Sequence, residues 1–117
     1  MSSYLTESNE LLAEAQKLAA GFQKSSLYQD YCRHKKTLEA DPLLMGKVEA
    51  FKSGRMELES KRMQEGSVSF DEEKRIAQQY TELSLHPAAG AFLLCEYELL
   101  QLYKQAFDIL SEACVME

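Results

Sequence analysis

The C-terminal segment, from Pro87 to the end of the chain, constrains the fold more than any other part of the sequence. Its apolar residues recur at spacings of three and four, which is the pattern of a helix with a coiled-coil seam. The seam positions are Phe92, Cys95, Leu99, Leu102, Ala106, Ile109, Ala113 and Met116. Apolar neighbours on both sides widen this face to about 160°, against about 100° for an ordinary surface helix. The segment therefore predicts a helix of about 27 residues, or about 40 Å, with an unusually wide apolar face.

An apolar face of this width exceeds what a small domain buries on one helix, so part of it is expected to contact another molecule. The predicted interface residues are Phe92, Cys95, Leu99, Leu102, Tyr103, Ala106, Ile109 and Leu110. The expected partners are further copies of the same chain, in a homodimer or a larger assembly, or related helical subunits. A face built from Leu, Ile, Phe and Ala specifies the shape of the contact but does not identify the partner protein.

The rest of the chain also follows helical spacing, and no stretch alternates as a strand would. In the first helix, for example, Leu11, Ala15, Leu18 and Phe22 share one face. Helix boundaries are predicted by capping boxes at Ser26–Gln29 and Ser69–Glu72, by the pairs Asp41–Pro42 and His86–Pro87, and by Gly66 as a C-cap. The prediction is one all-α domain over residues 1–117, an antiparallel bundle of four to five helices with short connections and a long C-terminal helix.

Charge and composition limit the classes of partner. Nineteen Asp and Glu against thirteen Lys and Arg give a net charge of −6, which disfavours direct binding to nucleic acid or to an anionic membrane, because both need a basic surface. No stretch approaches the roughly 18 apolar residues of a membrane span. The N-terminus lacks the pattern of a signal peptide, and three cysteines are an odd number, so reduced thiols in the cytoplasm are expected.

No catalytic constellation stands out in the sequence, so we expect no enzymatic activity, no cofactor and no metal. His34 and His86 are far apart in the chain, and Cys32 is two residues from His34, which places them on different sides of a helix. Two alternatives remain open. One is a redox or iron–sulfur sensor assembled across chains, for which Cys114 is the best placed thiol. The other is a regulator that contacts RNA weakly through basic residues of the third helix.

The third helix carries the second candidate site. Phe51, Arg55, Leu58 and Arg62 fall on one face of that helix. One interpretation is a groove, apolar and basic, for an acidic segment of a partner. The other is that the Arg stems lie along the edge of the core while acidic neighbours such as Glu59 neutralise their charge. The second interpretation is favoured, because long basic side chains commonly behave in this way.

Several spaced motifs resemble those of a known family. They are Ser26-x-Tyr28-x-x-Tyr31, Leu38-x-x-Asp41-Pro42, Val48-x-x-Phe51, Pro87 and Glu96-x-Glu98-Leu99-x-x-Leu102. Together with the N-terminal amphipathic helix, they resemble the YlbF/YmcA family of small helical bacterial proteins over nearly the whole chain. The resemblance implies an all-helical fold, homo- or hetero-oligomers, a cytoplasmic location and no enzymatic activity. It also implies an accessory role in competence, sporulation and biofilm formation, through a complex that influences an RNA-processing endonuclease.

Overall fold

The computed structural model describes residues 3–114, and within them the chain forms five α-helices and no strand. The helices are α1 (Leu5–Lys24), α2 (Ser26–Glu39), α3 (Pro42–Glu65), α4 (Phe70–Ser84) and α5 (Pro87–Ala113). The all-α fold class, the short connections and the long C-terminal helix are confirmed. No helix in the described part of the chain is long and apolar enough to cross a membrane.

Most of the predicted helix boundaries are confirmed by local hydrogen bonding. The Asp41 carboxylate accepts a bond from the Leu44 amide, and Pro42 opens α3. Gly66 ends α3 with a φ of 82°, a left-handed conformation that glycine adopts without steric cost. The Ser69 hydroxyl caps α4 by accepting from the Glu72 amide at 3.2 Å.

The capping box predicted at Ser26 is wrong by one residue. The N-cap of α2 is Ser25, whose hydroxyl accepts a bond from the Tyr28 amide. Gln29 does not complete the box either, because its side-chain amide donates to the Gln23 carbonyl at the end of α1. Adjacent serines offer the same chemistry, and Ser25 is the one with the extended backbone that an N-cap needs.

The core lies between α2, α3, α4 and α5. Its buried residues are Leu38, Leu44, Val48, Phe51, Leu83, Ala89, Phe92 and Leu93. α2 is the main neighbour of α5 and runs antiparallel to it, since Leu27 contacts Cys95 while Tyr31 packs on Phe92. α3 and α4 form a second antiparallel pair, in which Phe51 lies near Tyr80.

Helix α1 stands apart from this core. None of its residues is buried. It contacts α5 through Phe22, whose ring centre lies 4.9 Å from the ring centre of Tyr103. The radius of gyration is correspondingly large, 18.8 Å, where a compact domain of about 100 residues has about 13 Å. The chain is therefore an antiparallel four-helix body with one helix that extends away from it.

Candidate interaction surfaces

The residues predicted as an interface on α5 divide into two groups in the structure. Phe92, Cys95 and Leu99 are buried within the chain, where α2 covers this side of α5. They belong to the protomer's own core and are not available to a partner. The pattern of the helix did not distinguish these residues from the later ones, because both groups occupy the same seam.

The predicted interface residues that follow Leu99 form a more exposed surface, which we call the α5 overhang. The overhang comprises Leu102, Tyr103, Ala106, Ile109 and Leu110, of which Ala106 is half-buried and the others are exposed. Ile109 and Leu110 are 68% and 62% exposed, because α2 begins at Ser26, level with Cys95, and does not extend along this part of α5. Ala113 is also exposed, and Met116, the last predicted seam position, lies outside the described residues. The overhang thus presents about two and a half turns of largely apolar helix to solvent.

A second apolar surface is exposed on α1, and we call it the α1 face. It consists of Leu11, Leu12 and Leu18, which are more than half exposed. Helical spacing places Leu11 and Leu18 on one side of α1, as the sequence predicts, and Leu12 lies about 100° around the helix from Leu11. Phe22, the last apolar residue of the predicted side, makes the contact with Tyr103 described above. Residues 11–18 of α1 therefore carry an amphipathic pattern with no core beneath it.

The third surface is a groove between α3, α4 and α5, with a volume of about 810 Å³. All four residues proposed from the sequence as a partner groove, Phe51, Arg55, Leu58 and Arg62, line it. The opposite walls come from Ile76, Ala77 and Tyr80 of α4 and from Leu93, Leu94 and Tyr97 of α5. We call this set of residues the α3–α4 groove. Sequence spacing placed the α3 wall but carried no signal for the other two walls.

A glycine allows α3 and α4 to approach closely beside the α3–α4 groove. At Gly54, an added Cβ would lie 3.1 Å from the Cδ1 atom of Ile76. A larger residue there would push the two helices apart or force Ile76 to move, and because Ile76 lines the groove, either change would alter its α4 wall.

The charges at one end of the groove largely cancel. Arg62 donates to Glu59 of its own helix at 3.0 Å and to Glu73 of α4 at 2.8 Å. The Arg55 guanidinium instead lies 5.3 Å from the centre of the Phe51 ring, in a cation–π arrangement. Among residues 3–114, Arg55 forms no ion pair. The groove is therefore mainly apolar, and the Arg55 guanidinium remains available to pair with an acidic group of a partner.

Lys61 forms its ion pair with another helix and not within α3. The spacing of Glu57 and Lys61 favours an ion pair within α3, but Lys61 donates to Glu72 of α4 at 2.7 Å. This bond lowers the pKa of the Glu72 carboxyl and raises the pKa of Lys61, since it favours the charged form of each group. Together with Arg62–Glu73, it ties the end of α3 to the start of α4.

The most buried ion pair was not predicted. Lys52 of α3 donates to the Glu96 carboxylate of α5 at 2.7 Å, and the Glu96 side chain is only 11% exposed. The Lys52 ammonium also lies 5.6 Å from the centre of the Phe92 ring. Glu96 and Lys52 are 44 residues apart, and no local pattern in the sequence links them.

The three cysteines are dispersed through the fold. Cys32 is half-buried, Cys95 is buried and Cys114 is exposed, and all three are free thiols. Burial raises the pKa of the Cys95 thiol, and its sulfur lies 3.5 Å from the Leu27 carbonyl oxygen. Tyr28 also has a raised pKa, chiefly through a hydrogen bond with Cys32. No group of three or more His, Cys, Asp or Glu residues between residues 3 and 114 is arranged to hold a metal ion.

Comparison with known proteins shows that most of the sequence matches one protein family. The model of the family described as "Control of competence regulator ComK, YlbF/YmcA" matches residues 11–114. This chain belongs to the YlbF/YmcA family. The match runs from the α1 face to the end of α5, so it includes the α5 overhang and the α3–α4 groove. The role given to the family is regulatory.

Two relatives are similar to the chain over most of their length. A UPF0342 protein of Desulfitobacterium hafniense (strain Y51) is 25% identical over 101 residues, which cover 86% of this chain and 82% of the relative. A UPF0342 protein of Caldicellulosiruptor saccharolyticus is 29% identical over 99 residues, which cover 85% of this chain and 82% of the relative. No solved structure matches the chain.

Proposed function

We propose that this protein is a non-enzymatic, oligomeric helical adaptor that regulates by binding other proteins in the cytoplasm. The observation that carries the proposal is the α5 overhang, an exposed apolar helix surface more than two turns long. Contiguous apolar patches of more than a few hundred Å² are rare on monomeric proteins and commonly mark interfaces. Self-association is the simplest way to cover the overhang, because each copy presents a matching surface.

The role given to the family supports the regulatory part of the proposal. Control of the competence regulator ComK requires communication with other macromolecules, and the apolar surfaces of this chain suit contacts with protein. By resemblance, the regulation extends to competence, sporulation or biofilm formation and is linked to RNA processing. The net charge of −6 favours protein contacts over direct contact with RNA, because phosphate recognition needs a basic surface.

Complementation in the native host tests the proposal. The chromosomal gene is replaced by genes for the wild-type chain, for Leu110→Glu in the α5 overhang, or for Gln105→Glu as a control on an exposed polar position of the same helix. We expect the wild type and the control to support competence, and Leu110→Glu to lose it while the protein remains present in the cell. Full activity of the Leu110→Glu chain would contradict the adaptor function of the overhang.

A further inference from the structure

Two apolar surfaces remain after the α5 overhang is assigned to self-association: the α1 face and the α3–α4 groove. We propose that they fit each other between copies, so that the α1 face of one chain lies in the α3–α4 groove of a second. This inference rests on the proposed self-association and names an additional contact within it. If the exchange is reciprocal, each copy gives one helix and receives one, which closes a two-fold dimer.

The dimensions of the two surfaces agree. The α3 wall of the groove runs from Phe51 to Arg62, about 17 Å at 1.5 Å per residue. The leucines of the α1 face run from Leu11 to Leu18, about 10 Å on the same basis. A groove of about 810 Å³ therefore accommodates the two turns of leucine side chains that α1 presents.

The charges also agree. Glu7 and Glu14 precede Leu11 and Leu18 by four residues, so they lie on the same side of α1 as these leucines. Glu14 pairs with Lys17 of the same helix at 2.9 Å in an exposed ion pair, so Glu7 is the carboxylate that is free of an ion pair among residues 3–114. Arg55, which forms no ion pair among residues 3–114, lines the groove. A carboxylate on the edge of an incoming α1 gives this guanidinium a partner at the boundary with solvent.

The chain's own α1 does not occupy its groove. α1 is joined to α2 through Ser25 alone, and α2 packs on the side of α5 that carries Cys95 and Leu99. Tyr97, which lines the groove, is two residues from each of these and therefore points about 200° away from them at about 100° per residue. The groove thus lies on the far side of α5 from the point where α1 is attached, and a second copy is needed to fill it.

Disulfide cross-linking between two chains that each carry one introduced cysteine tests the proposal. Both full-length chains carry Cys32→Ser and Cys114→Ser, while buried Cys95 is retained. One chain then carries Leu11→Cys or Leu18→Cys in the α1 face, and the other carries Leu58→Cys or Ile76→Cys in the groove. After mixing and mild oxidation, we expect a covalent heterodimer from at least one pairing. The matched control, Lys17→Cys on the polar side of α1, should give no such product.

Sedimentation of the unoxidised proteins separates the two proposals. A monomer would overturn both self-association and the exchange of α1. An assembly in which no α1 position cross-links to either groove position would overturn the exchange alone. A disulfide from Leu18→Cys to Leu110→Cys, without one to the groove, would place α1 on the α5 overhang of the second copy and would also overturn it.

Discussion

At the scale of single residues, Lys52 and Glu96 form the ion pair that joins α3 to α5 in the described part of the chain. Glu96 is the one charged residue among those buried in the described chain, and its carboxylate is satisfied by the Lys52 ammonium. Removing one partner of such a pair leaves the other charge desolvated without compensation, which costs more than the pair itself contributes.

Glu96→Ala is expected to lower the free energy of unfolding by about 1.5–3 kcal/mol, the range for a buried hydrogen bond to a charged group. Urea unfolding followed by circular dichroism measures the loss. Glu98→Ala, two residues away on the exposed side of α5, is the control and should change stability little. Equal losses in the two variants would show that the Lys52 contact contributes nothing beyond helix propensity.

The two interpretations of the third helix, a partner groove and arginine stems along the edge of the core, both concern Arg55 and Arg62. Arg62 is neutralised by acidic neighbours, and both Arg55 and Arg62 line the groove; binding of a partner there stays a prediction. Their stems lie along the groove walls, and their head groups remain partly exposed, so the ion pairs of Arg62 count for little in stability.

The double variant Arg55→Ala/Arg62→Ala is expected to lose about 1 kcal/mol of stability through lost packing. Thermal unfolding of this variant is compared with that of Arg33→Ala/Arg75→Ala, which removes the same charge from exposed positions on α2 and α4. The control should melt close to the wild type. A groove variant that melts no lower than the control would show that the two stems contribute no packing energy.

At the scale of the helices, α5 has two halves with different roles. Its first half is part of the core, while its second half extends past α2 and exposes the overhang. Leu102 lies at the boundary between them and is 36% exposed. A charge placed there would be desolvated by a partner chain and would meet little of the protomer's own core.

Leu102→Glu is therefore expected to disrupt assembly while helix content is retained. A buried carboxylate without a partner weakens the interface by several kcal/mol, on the order found for uncompensated buried charges. Sedimentation velocity and circular dichroism on the same sample measure the two effects. Gln101→Glu adds the same charge at an exposed neighbouring position and should leave both unchanged. Wholesale unfolding of the Leu102→Glu chain would instead assign Leu102 to the protomer core.

At the scale of the whole molecule, the chain is extended for its length. Its longest dimension is 54 Å, and α1 and the end of α5 leave apolar side chains in solvent. Each of these surfaces would be covered in an assembly, which gains hydrophobic free energy in proportion to the area removed from water.

Light scattering at micromolar concentrations is expected to give a mass that is a multiple of 13.3 kDa. The physical reason is the combined apolar area of the α5 overhang and the α1 face. A uniform particle of 13.3 kDa throughout the concentration range would contradict self-association. Truncation before Leu102 removes the α5 overhang but keeps the α1 face and the α3–α4 groove, so it should weaken assembly and raise the protein concentration at which the mass exceeds that of one chain.

The sequence by itself determined the helices and most of their ends. Capping by Asp41 and Ser69, the proline at position 42 and the left-handed turn at Gly66 involve groups within about four residues of each other, so the information is local. The periodicity of apolar residues likewise identified α5 and its wide face. The same local information could not separate Ser25 from Ser26 as the cap of α2, because both residues can supply the same hydroxyl.

Only the tertiary structure decided which apolar residues are core and which are surface. Cys95 and Ile109 occupy the same seam position, yet the first is buried and the second exposed, because α2 covers one and does not reach the other. The pairing of Lys52 with Glu96 and the choice of Glu72 over Glu57 by Lys61 have the same origin. In each case the deciding partner lies on another helix, so the outcome depends on how helices pack, which the periodicity of a single helix does not encode.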